Sequence, residues 1–442
     1  MAEDTDAKVG AAEEAALTLA NTSTKTRGEG LRAIADAIHD QEAAILEANG
    51  RDVAEAEDML EAGEYSQALV DRLKLDATKL QSIAEMVRSV ADQEDPLGKT
   101  LEARELDDGL ELYKVAVPIG VIGTVFESRP DALVQIAALS LKSGNSVILK
   151  GGSEALHSNR ALFEVIEEAT TGIADGWVQL IEAHEEVDRV LELEESIDLL
   201  MPRGSTEFVR YIQENTKIPV LGHTEGVCHV FVDDRADLEM AEDVVYDAKV
   251  QYPAVCNAVE TLLVHEAVAE SFLPGMVERY ESAGVTVRGD ERIREIVDVD
   301  PATPEDWASE YGDLVISIKI VEDVTEAVDH VNTFGSKHTE SILTEDADRA
   351  ATFMQGVDAS SVFHNASTRF ADGFRYGLGA EVGISTGKIH ARGPVGLEGL
   401  TTTKYYLEGD GQLVASYVGD DATPFSHEEF DGEWQPGSLS RE

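Results

Sequence analysis

The chain has 442 residues, a length that corresponds to two or three domains of typical size. Apolar residues make up 43% of the sequence, which is typical of a globular protein and argues against extensive disorder. Its 87 acidic and 35 basic residues give a net charge of −52, and such a surface repels nucleic-acid phosphates and anionic lipid headgroups. The composition therefore excludes nucleic acid and membranes as expected partners.

Three features indicate a cytoplasmic location. The longest apolar run, 115–126, is too short to span a bilayer and contains a proline and glycines. The first ten residues lack the basic and apolar stretches of a signal peptide, and two cysteines fit a reducing compartment. The acidic excess is spread along the chain and resembles that of proteins from salt-loving microbes. We therefore expect charge repulsion to destabilise the fold in dilute buffer.

The first hundred residues show helical patterns. Leu31, Ile34, Ala35 and Ile38 have the i, i+3, i+4, i+7 spacing of one apolar helix face. Residues 67–91 repeat this pattern and predict a further helix.

From residue 105 onward, strand and helix patterns alternate. A helix is predicted from Pro130 to Lys142, and another begins at about Ser153. Apolar strands that alternate with helices predict an α/β fold with parallel sheets. The end returns to strand character at 401–418, around a Gly-Asp-Gly turn, and a loosely held acidic tail follows. The predicted strands before it are 110–117, 121–126, 146–150, 177–182, 197–202, 259–265, 314–321, 341–344 and 360–365.

Two strand-to-helix turns have features of anion-binding sites. In the first, Lys150 ends a strand, and a Gly-Gly-Ser turn with Gly152 and Ser153 leads into a helix. In the second, residues 203–205 (Arg-Gly-Ser) join a strand to a helix. Each turn alone also fits an ordinary capped helix. Because two such turns occur on one parallel sheet, a dinucleotide site and a pair of ordinary capped helices are about equally good interpretations.

Cys256 lies in a loop just before a predicted strand, a location suited to nucleophilic attack on a substrate. For a lone cysteine, however, a buried structural role is the more common outcome. Cys228 lies within a strand pattern, which predicts a packing role. The spacing of histidines and cysteines predicts no metal site.

The glycine-rich segment 370–402 contains a cluster of basic residues that is unusual in so acidic a chain. The cluster would suit an anionic substrate, and local pairing with Glu381 and Asp372 is an equally good interpretation. Its members are Arg375, Lys388, His390 and Arg392.

Several blocks of the sequence, taken together, resemble the aldehyde dehydrogenase superfamily and, within it, the family of gamma-glutamyl phosphate reductases. The likeness covers nearly the whole chain in the expected order. SGNSVILKGGSEA, NASTRF and HARGP resemble this family and not aldehyde dehydrogenases at large. The blocks are 118–159, 200–205, 251–265, 334–346, 357–373 and 377–405.

The resemblance implies an aldehyde dehydrogenase-like fold with three parts. Residues 1–105 and 119–226 would form a Rossmann-like cofactor-binding domain, and residues 227–395 an α/β catalytic domain. A β-strand arm for oligomerisation would consist of 106–118 and 401–418, followed by the acidic tail 419–442. A homo-oligomer, dimer or tetramer, is therefore expected.

The implied reaction is the NADPH-dependent reduction of the small-molecule substrate L-glutamyl 5-phosphate to L-glutamate 5-semialdehyde and phosphate, a step of proline biosynthesis. Cys256 would form a thioester, with backbone N–H groups and Asn257 holding the oxyanion. The alternative is an NAD-dependent aldehyde dehydrogenase that oxidises a small aldehyde to the acid. Association with a glutamate kinase, which would supply the labile acyl phosphate, is a further expectation.

The resemblance and the residue types together suggest the binding residues. Glu310 matches the glutamate that binds the nicotinamide ribose in the superfamily. The arginines Arg129, Arg369 and Arg392 are candidates for the substrate's carboxylate and phosphate, because a guanidinium binds either one bidentately. At the adenosine end of the cofactor we expect Lys150, Gly152 and Ser153, and near the pyrophosphate or nicotinamide Arg203, Gly204 and Ser205.

Three positions depart from the superfamily pattern. Gly222 stands where oxidising members place a general-base glutamate, which fits a reductase whose thioester must avoid activated water. Ser128 replaces the asparagine that holds the oxyanion. Glu154 places a carboxylate near the expected ribose site, where its negative charge would oppose a 2′-phosphate.

Overall fold

The computed structural model describes residues 2–127, 129–182, 185–204, 206–223 and 225–435. Its helices are α1 (Ala2–Leu19), α2 (Thr24–Asp40), α3 (Glu42–Glu61), α4 (Gln67–Leu73), α5 (Ala77–Asp92), α6 (Pro130–Lys142), α7 (Leu156–Ala169), α8 (Glu185–Leu191), α9 (Thr206–Asn215), α10 (Leu238–Val250), α11 (Glu266–Ser282), α12 (Glu291–Ile296), α13 (Val324–Phe334) and α14 (Ala347–Gly356). Its strands are β1 (Thr100–Asp107), β2 (Leu110–Pro118), β3 (Val121–Phe126), β4 (Ser146–Gly151), β5 (Val178–Ile181), β6 (Leu199–Arg203), β7 (Cys228–Val232), β8 (Val259–His265), β9 (Thr286–Gly289), β10 (Asp300–Pro301), β11 (Val315–Val321), β12 (Thr339–Leu343), β13 (Ser361–His364), β14 (Gly383–Ser385), β15 (Gly393–Val395), β16 (Thr401–Glu408) and β17 (Glu428–Glu429).

The first sheet is parallel, with strand order β5-β4-β3-β6. Its central strands β3 and β4 are buried along their whole length, because helices cover both faces. The predicted apolar face of α2 is fully buried in this core, at Leu31, Ile34, Ala35 and Ile38. The predicted α/β fold with parallel sheets is confirmed.

The single helix predicted over 67–91 is wrong, since α4 and α5 are separate. Lys74 has an extended backbone, with φ −64° and ψ 125°. The Asp76 carboxylate then accepts the Lys79 N–H at 2.7 Å and caps the start of α5. The apolar period continues across this break, which explains why the spacing alone did not reveal it.

The second sheet is parallel, with strand order β10-β9-β11-β8-β7-β12-β13. Strand β8 lies at its centre, and all seven of its residues are buried. Helix α10 connects β7 to β8, so the loop that contains Cys256 precedes the central strand. The short strands β10, at the edge of this sheet, and β9, next to it, were not predicted from the sequence.

A third sheet is antiparallel, with strand order β16-β2-β1-β17. Strand β16 pairs with β2 over its whole length, from Thr401 opposite Pro118 to Glu408 opposite Glu111. The sheet begins at Thr100, earlier than the expected start of the arm at residue 106. The strand predicted over 401–418 is wrong in its second half, where residues 414–417 form a short 3₁₀ helix.

The expectation of a loosely held tail is also wrong for the described residues up to 435. Strand β17 pairs with the free edge of β1, so backbone groups that an edge strand would leave open are satisfied. The Phe430 ring packs edge-on against Tyr113, with 5.7 Å between centroids, and Trp434 stacks on Tyr406 at 3.9 Å. These aromatic contacts cover the apolar face of the third sheet. Within the described residues, no helix has both the length and the apolar character that crossing a membrane requires.

Candidate active site

The candidate site lies where the first two sheets face each other. Strands β11, β8, β7 and β12 are parallel neighbours, so the segments that precede them meet at one edge of the second sheet. These segments contain Glu310, Cys256, Gly226 and His338. Across from them β6 ends at Arg203, whose charge acts on Cys256. Adjacent parallel strands thus bring together residues that are far apart in the chain.

The Cys256 loop is fixed from the side of β7. A Cβ atom at Gly226 would lie 2.1 Å from the Cys256 carbonyl oxygen, so only glycine permits this approach. The Gly226 N–H donates to Oε2 of Glu310 at 2.9 Å, and the Cys228 thiol donates to the Cys256 carbonyl oxygen at 3.2 Å. Cys228 itself is fully buried in β7.

The surroundings of Cys256 keep its thiol protonated in the absence of a ligand. Burial raises the pKa of the Cys256 thiol to about 12, and the carboxylates of Glu310 and Glu381 add to this increase. The Arg203 guanidinium acts in the opposite direction and stabilises the thiolate. An anion-binding cation beside the sulfur is therefore already in place.

Arg203 projects from the end of β6 into this site. Its Nη1 atom is buried and has no hydrogen-bond partner among the described residues. Burial lowers the pKa of Arg203 and the charge of Arg129 lowers it further, whereas Glu381 opposes both effects. A buried guanidinium with an open donor suits a phosphate or carboxylate.

Arg369 is a second buried cation near the sulfur. Its Nε donates to Oε1 of Gln251 at 3.0 Å, and only 8% of the residue is exposed. Burial lowers the pKa of Arg369, and Arg375 lowers it further, while Asp372 and then Cys256 oppose the shift. Arg203 and Arg369 are thus both close enough to Cys256 for electrostatic coupling.

The other two candidate arginines lie elsewhere. Arg129 is half-buried at the N-terminus of α6, where its charge acts on Arg203. Arg392 is exposed and donates to Oδ1 of Asp358 at 2.9 Å. The Lys388 ammonium lies 2.8 Å from the other oxygen of Asp358.

The expected local pairing of the basic cluster is correct for one member. Arg375 lies 3.4 Å from Oδ2 of Asp372, as expected. Arg392 and Lys388 instead pair with Asp358, so the expectation that they pair with Glu381 and Asp372 is wrong.

Asn257 is buried next to Cys256, and its side-chain amide is hydrogen-bonded to the backbone. The Asn257 Nδ2 donates to the Ala371 carbonyl oxygen at 2.8 Å. This bond ties the Cys256 loop to the short 3₁₀ helix that contains Arg369. Ser128, at the superfamily's oxyanion position, and Ser205 lie outside the described residues.

The carboxyl ends of β4 and β6 form the expected cofactor side. Lys150 is buried at the end of β4, and its Nζ donates to the Gly151 carbonyl oxygen at 2.6 Å. Burial lowers the pKa of Lys150, whereas Glu154 opposes this effect. A Cβ atom at Gly152 would lie 2.1 Å from the Glu154 carboxylate, and one at Gly204 would lie 2.9 Å from the carboxyl carbon of Glu127.

Ser153 follows directly and begins a 3₁₀ helix that leads into α7. Glycine backbones at the carboxyl ends of β4 and β6, which flank β3 in one parallel sheet, fit a dinucleotide, since dinucleotides bind at the carboxyl ends of strands in α/β sheets.

Two histidines near the sulfur were not predicted from the sequence. A ring nitrogen of His223, a ring nitrogen of His338 and the Cys256 Sγ all lie within 4.8 Å of one another. Burial lowers the pKa of His338 to about 3 and also lowers the pKa of His223. These residues come from three separate segments, so no spacing in the sequence reveals them.

Residues 1–306 match the aldehyde dehydrogenase family. Gamma-glutamyl phosphate reductase of Natronomonas pharaonis is 72% identical over 99% of this chain and 100% of its own length. The protein of the same name from Haloquadratum walsbyi is 67% identical over 97% of this chain and 95% of its own length. This chain belongs to the gamma-glutamyl phosphate reductases, within the aldehyde dehydrogenase family.

The solved structures agree with the predicted fold. The crystal structure of gamma-glutamyl phosphate reductase from Thermotoga maritima has a TM-score of 0.89 and 43% sequence identity. The match covers 92% of this chain and 99% of that one. The predicted aldehyde dehydrogenase-like fold is therefore confirmed.

Proposed function

We propose that this oxidoreductase reduces L-glutamyl 5-phosphate to L-glutamate 5-semialdehyde and phosphate in proline biosynthesis, through a thioester on Cys256. The names of its relatives support the substrate. The observation that carries the chemistry is the proximity of Cys256 to Arg203, whose buried Nη1 atom has no hydrogen-bond partner in the part of the chain that the structure describes. A dianionic leaving group would supply that partner.

The proposed cofactor is NADPH, and the described residues fit a dinucleotide at the ends of β4 and β6. Lys150, Gly152 and Ser153 would hold the adenosine end, and Gly204 would let the backbone approach the pyrophosphate. The carboxylate of Glu310 would accept hydrogen bonds from the hydroxyl groups of the nicotinamide ribose. When bound, the cofactor supplies a hydride to the substrate carbonyl carbon. Glu154, which faces Gly152, opposes a 2′-phosphate and thereby weakens the preference for NADPH.

In the proposed mechanism, the sulfur of Cys256 attacks the acyl carbon and the thiol proton passes to the phosphate that leaves. The bond from carbon to the phosphate oxygen breaks, and phosphate leaves with the bonding electrons toward Arg203. The arginines Arg369 and Arg129 would bind the remaining negative charges of the substrate. After hydride reduction, the thiohemiacetal on Cys256 collapses to the aldehyde and the thiolate. Backbone N–H groups of the loop would hold the oxyanion.

The absence of a side chain at Gly222 favours the reductase reaction over the alternative reaction. In that alternative, an NAD-dependent enzyme oxidises a small aldehyde to the acid. Acid formation requires a base that activates water for attack on the thioester. Position 222 lacks a side chain that could act as this base, and the neighbouring His223 donates to the Ile384 carbonyl oxygen at 2.9 Å.

Phosphate dependence tests the proposal. We would measure NADP⁺ reduction with glutamate semialdehyde in molar KCl, with and without phosphate, for the wild type and Cys256→Ala. We expect activity to require phosphate and to fall by about 10⁴-fold or more without the thiol. The matched control is Cys228→Ser, which removes the other thiol, keeps a donor for the Cys256 carbonyl oxygen and should retain activity. Phosphate-independent activity would instead establish the acid-forming dehydrogenase.

We further propose that the third sheet mediates a homo-oligomer, dimer or tetramer. Strand β16 is an edge strand in the described structure and exposes Tyr405 and Leu407, which are 59% and 57% accessible. Sedimentation in molar KCl would measure the assembly. Co-purification under the same conditions would test association with a glutamate kinase. The cytoplasmic location and the salt requirement stay predictions.

A further inference from the structure

A cluster of three soft ligands surrounds the sulfur of Cys256. A ring nitrogen of His223, a ring nitrogen of His338 and the Cys256 Sγ lie within 4.8 Å of one another, and the two imidazole rings meet edge to face at 5.2 Å. The proposed reaction uses only the sulfur of this set. The two imidazoles therefore have no assigned role.

A hydrogen bond orients the His223 imidazole as metal ligands are oriented. The Nδ1 of His223 lies 2.9 Å from the Ile384 carbonyl oxygen. Because a carbonyl oxygen only accepts, Nδ1 bears the hydrogen and Nε2 bears the lone pair. Histidines that bind metals in proteins commonly donate their other ring N–H to a backbone carbonyl in this way.

His338 provides an independent indication of a ligand. The side chain is fully buried, and its Nδ1 lies 2.9 Å from Oγ1 of Thr339. Its Nε2 has no hydrogen-bond partner among the described residues. A buried ring nitrogen without a partner is costly unless something binds to it.

We propose that His223, Cys256 and His338 bind a thiophilic divalent cation, with Zn²⁺ preferred, and that the bound cation reversibly blocks the nucleophile. One sulfur and two nitrogens favour Zn²⁺ over Mg²⁺ or Ca²⁺, which prefer oxygen ligands. Tetrahedral Zn²⁺ bonds would bring the ligand atoms to roughly 3.3–3.6 Å from one another. His223 and Cys256 lie in loops, so their side chains can close this gap. Water or chloride would complete the coordination.

The blocking effect, but not the binding of the cation, rests on the proposed role of Cys256 as nucleophile. Binding releases the thiol proton to solvent and commits the sulfur electron pair to the cation, so the sulfur no longer attacks the acyl carbon. Removal of the cation by a chelator would restore the activity.

Direct binding tests the site. The full-length protein, treated with EDTA and held in molar KCl, would be titrated with Zn²⁺ in competition with a chelating dye. We expect one tight Zn²⁺ per chain, with affinity reduced by at least about tenfold in His223→Ala and in His338→Ala. The Co²⁺ complex should show a thiolate charge-transfer band that Cys256→Ala abolishes. The matched control His39→Ala, which removes an exposed histidine of α2, should keep both the affinity and the band.

Unchanged affinity in both histidine variants, or a band that persists in Cys256→Ala, would overturn the site. Because His338 is fully buried, circular dichroism must show that its variant is folded, and the more accessible His223 supplies the second variant. Reductase activity retained in Cys256→Ala would contradict the proposed function. It would not affect the Zn²⁺ affinity measured by competition with the dye. Activity that depends on Cys256 but resists Zn²⁺ would contradict the blocking role alone.

Discussion

Basic residues occupy two very different regions of this molecule. Near Cys256, Arg369 is buried and Arg203 is half-buried, and the buried Nη1 atom of Arg203 lacks a hydrogen-bond partner among the described residues. At the surface, cations converge on Asp358, and we call this region the Asp358 cluster. Its cations are Lys337 at 3.7 Å, Lys388 at 2.8 Å and Arg392 at 2.9 Å from the carboxylate.

The difference shows which cations are available to a substrate anion. In the Asp358 cluster, Lys388 and then Arg392 hydrogen-bond to the carboxylate and lower the pKa of Asp358 to about 2. These pairs are solvated, so salt screens them and each contributes little. The Nη1 atom of Arg203 has already lost its hydration on folding, and a phosphate that reaches this atom restores a missing hydrogen bond. A buried donor atom without a hydrogen-bond partner therefore identifies a cation that can bind a substrate anion better than the local density of charge does.

Among the basic residues, the largest expected effect is that of Arg203→Gln. Loss of the guanidinium beside the leaving phosphate should lower kcat/KM for the phosphate-dependent reaction by about 10²- to 10³-fold. Steady-state kinetics with glutamate semialdehyde, NADP⁺ and phosphate would measure it. The variant Arg203→Lys retains the charge but not the planar fork, and we expect it to recover only part of the loss. Equal activity of Arg203→Gln and the wild type would contradict the comparison.

Much of the fold follows from local sequence patterns. Helix α6 has the predicted bounds, because Pro130 favours a first helical turn and an apolar face follows it. Strands β3, β4 and β8 were predicted because continuous apolar runs indicate strands that are buried on both faces. The break at Asp76 and the order of the tail depend on a single cap and on aromatic contacts. Neither of these has a period that can be recognised in the sequence.

The candidate site was predictable only where its residues belong to motifs. Cys256 and the Lys150 turn are contiguous with strands that have clear patterns. His223 and His338 reach the sulfur only because the segments before β7 and β12 meet at one edge of the second sheet, and Glu381 acts on the sulfur from the segment before β14, which pairs with β15 outside that sheet. That arrangement depends on the order of the strands, which the spacing of residues does not encode. The pairing of Arg392 with Asp358 was missed for the same reason.

A smaller effect concerns the reactivity of the thiol. Because the pKa of the Cys256 thiol is about 12, the thiolate fraction should rise about tenfold per pH unit between pH 7 and 10, without a plateau. Mass spectrometry of iodoacetamide-labelled Cys256 in the Cys228→Ala variant would follow the rate. Arg203→Gln removes a charge that stabilises the thiolate, so it should slow labelling at every pH. A plateau near pH 8 would show that the buried surroundings of Cys256 do not control its ionisation.

The smallest expected effect is that of Arg392→Gln. Because the guanidinium is exposed and paired with Asp358, its removal should change kcat/KM by no more than about twofold, and the free energy of unfolding by less than about 1 kcal/mol. Kinetics and chemical denaturation in molar KCl would measure both quantities, with Arg369→Gln as the matched buried arginine. A tenfold rise in KM for phosphate in Arg392→Gln would mean that the Asp358 cluster closes over the substrate. In that case, exposure in the ligand-free chain would not distinguish the two regions.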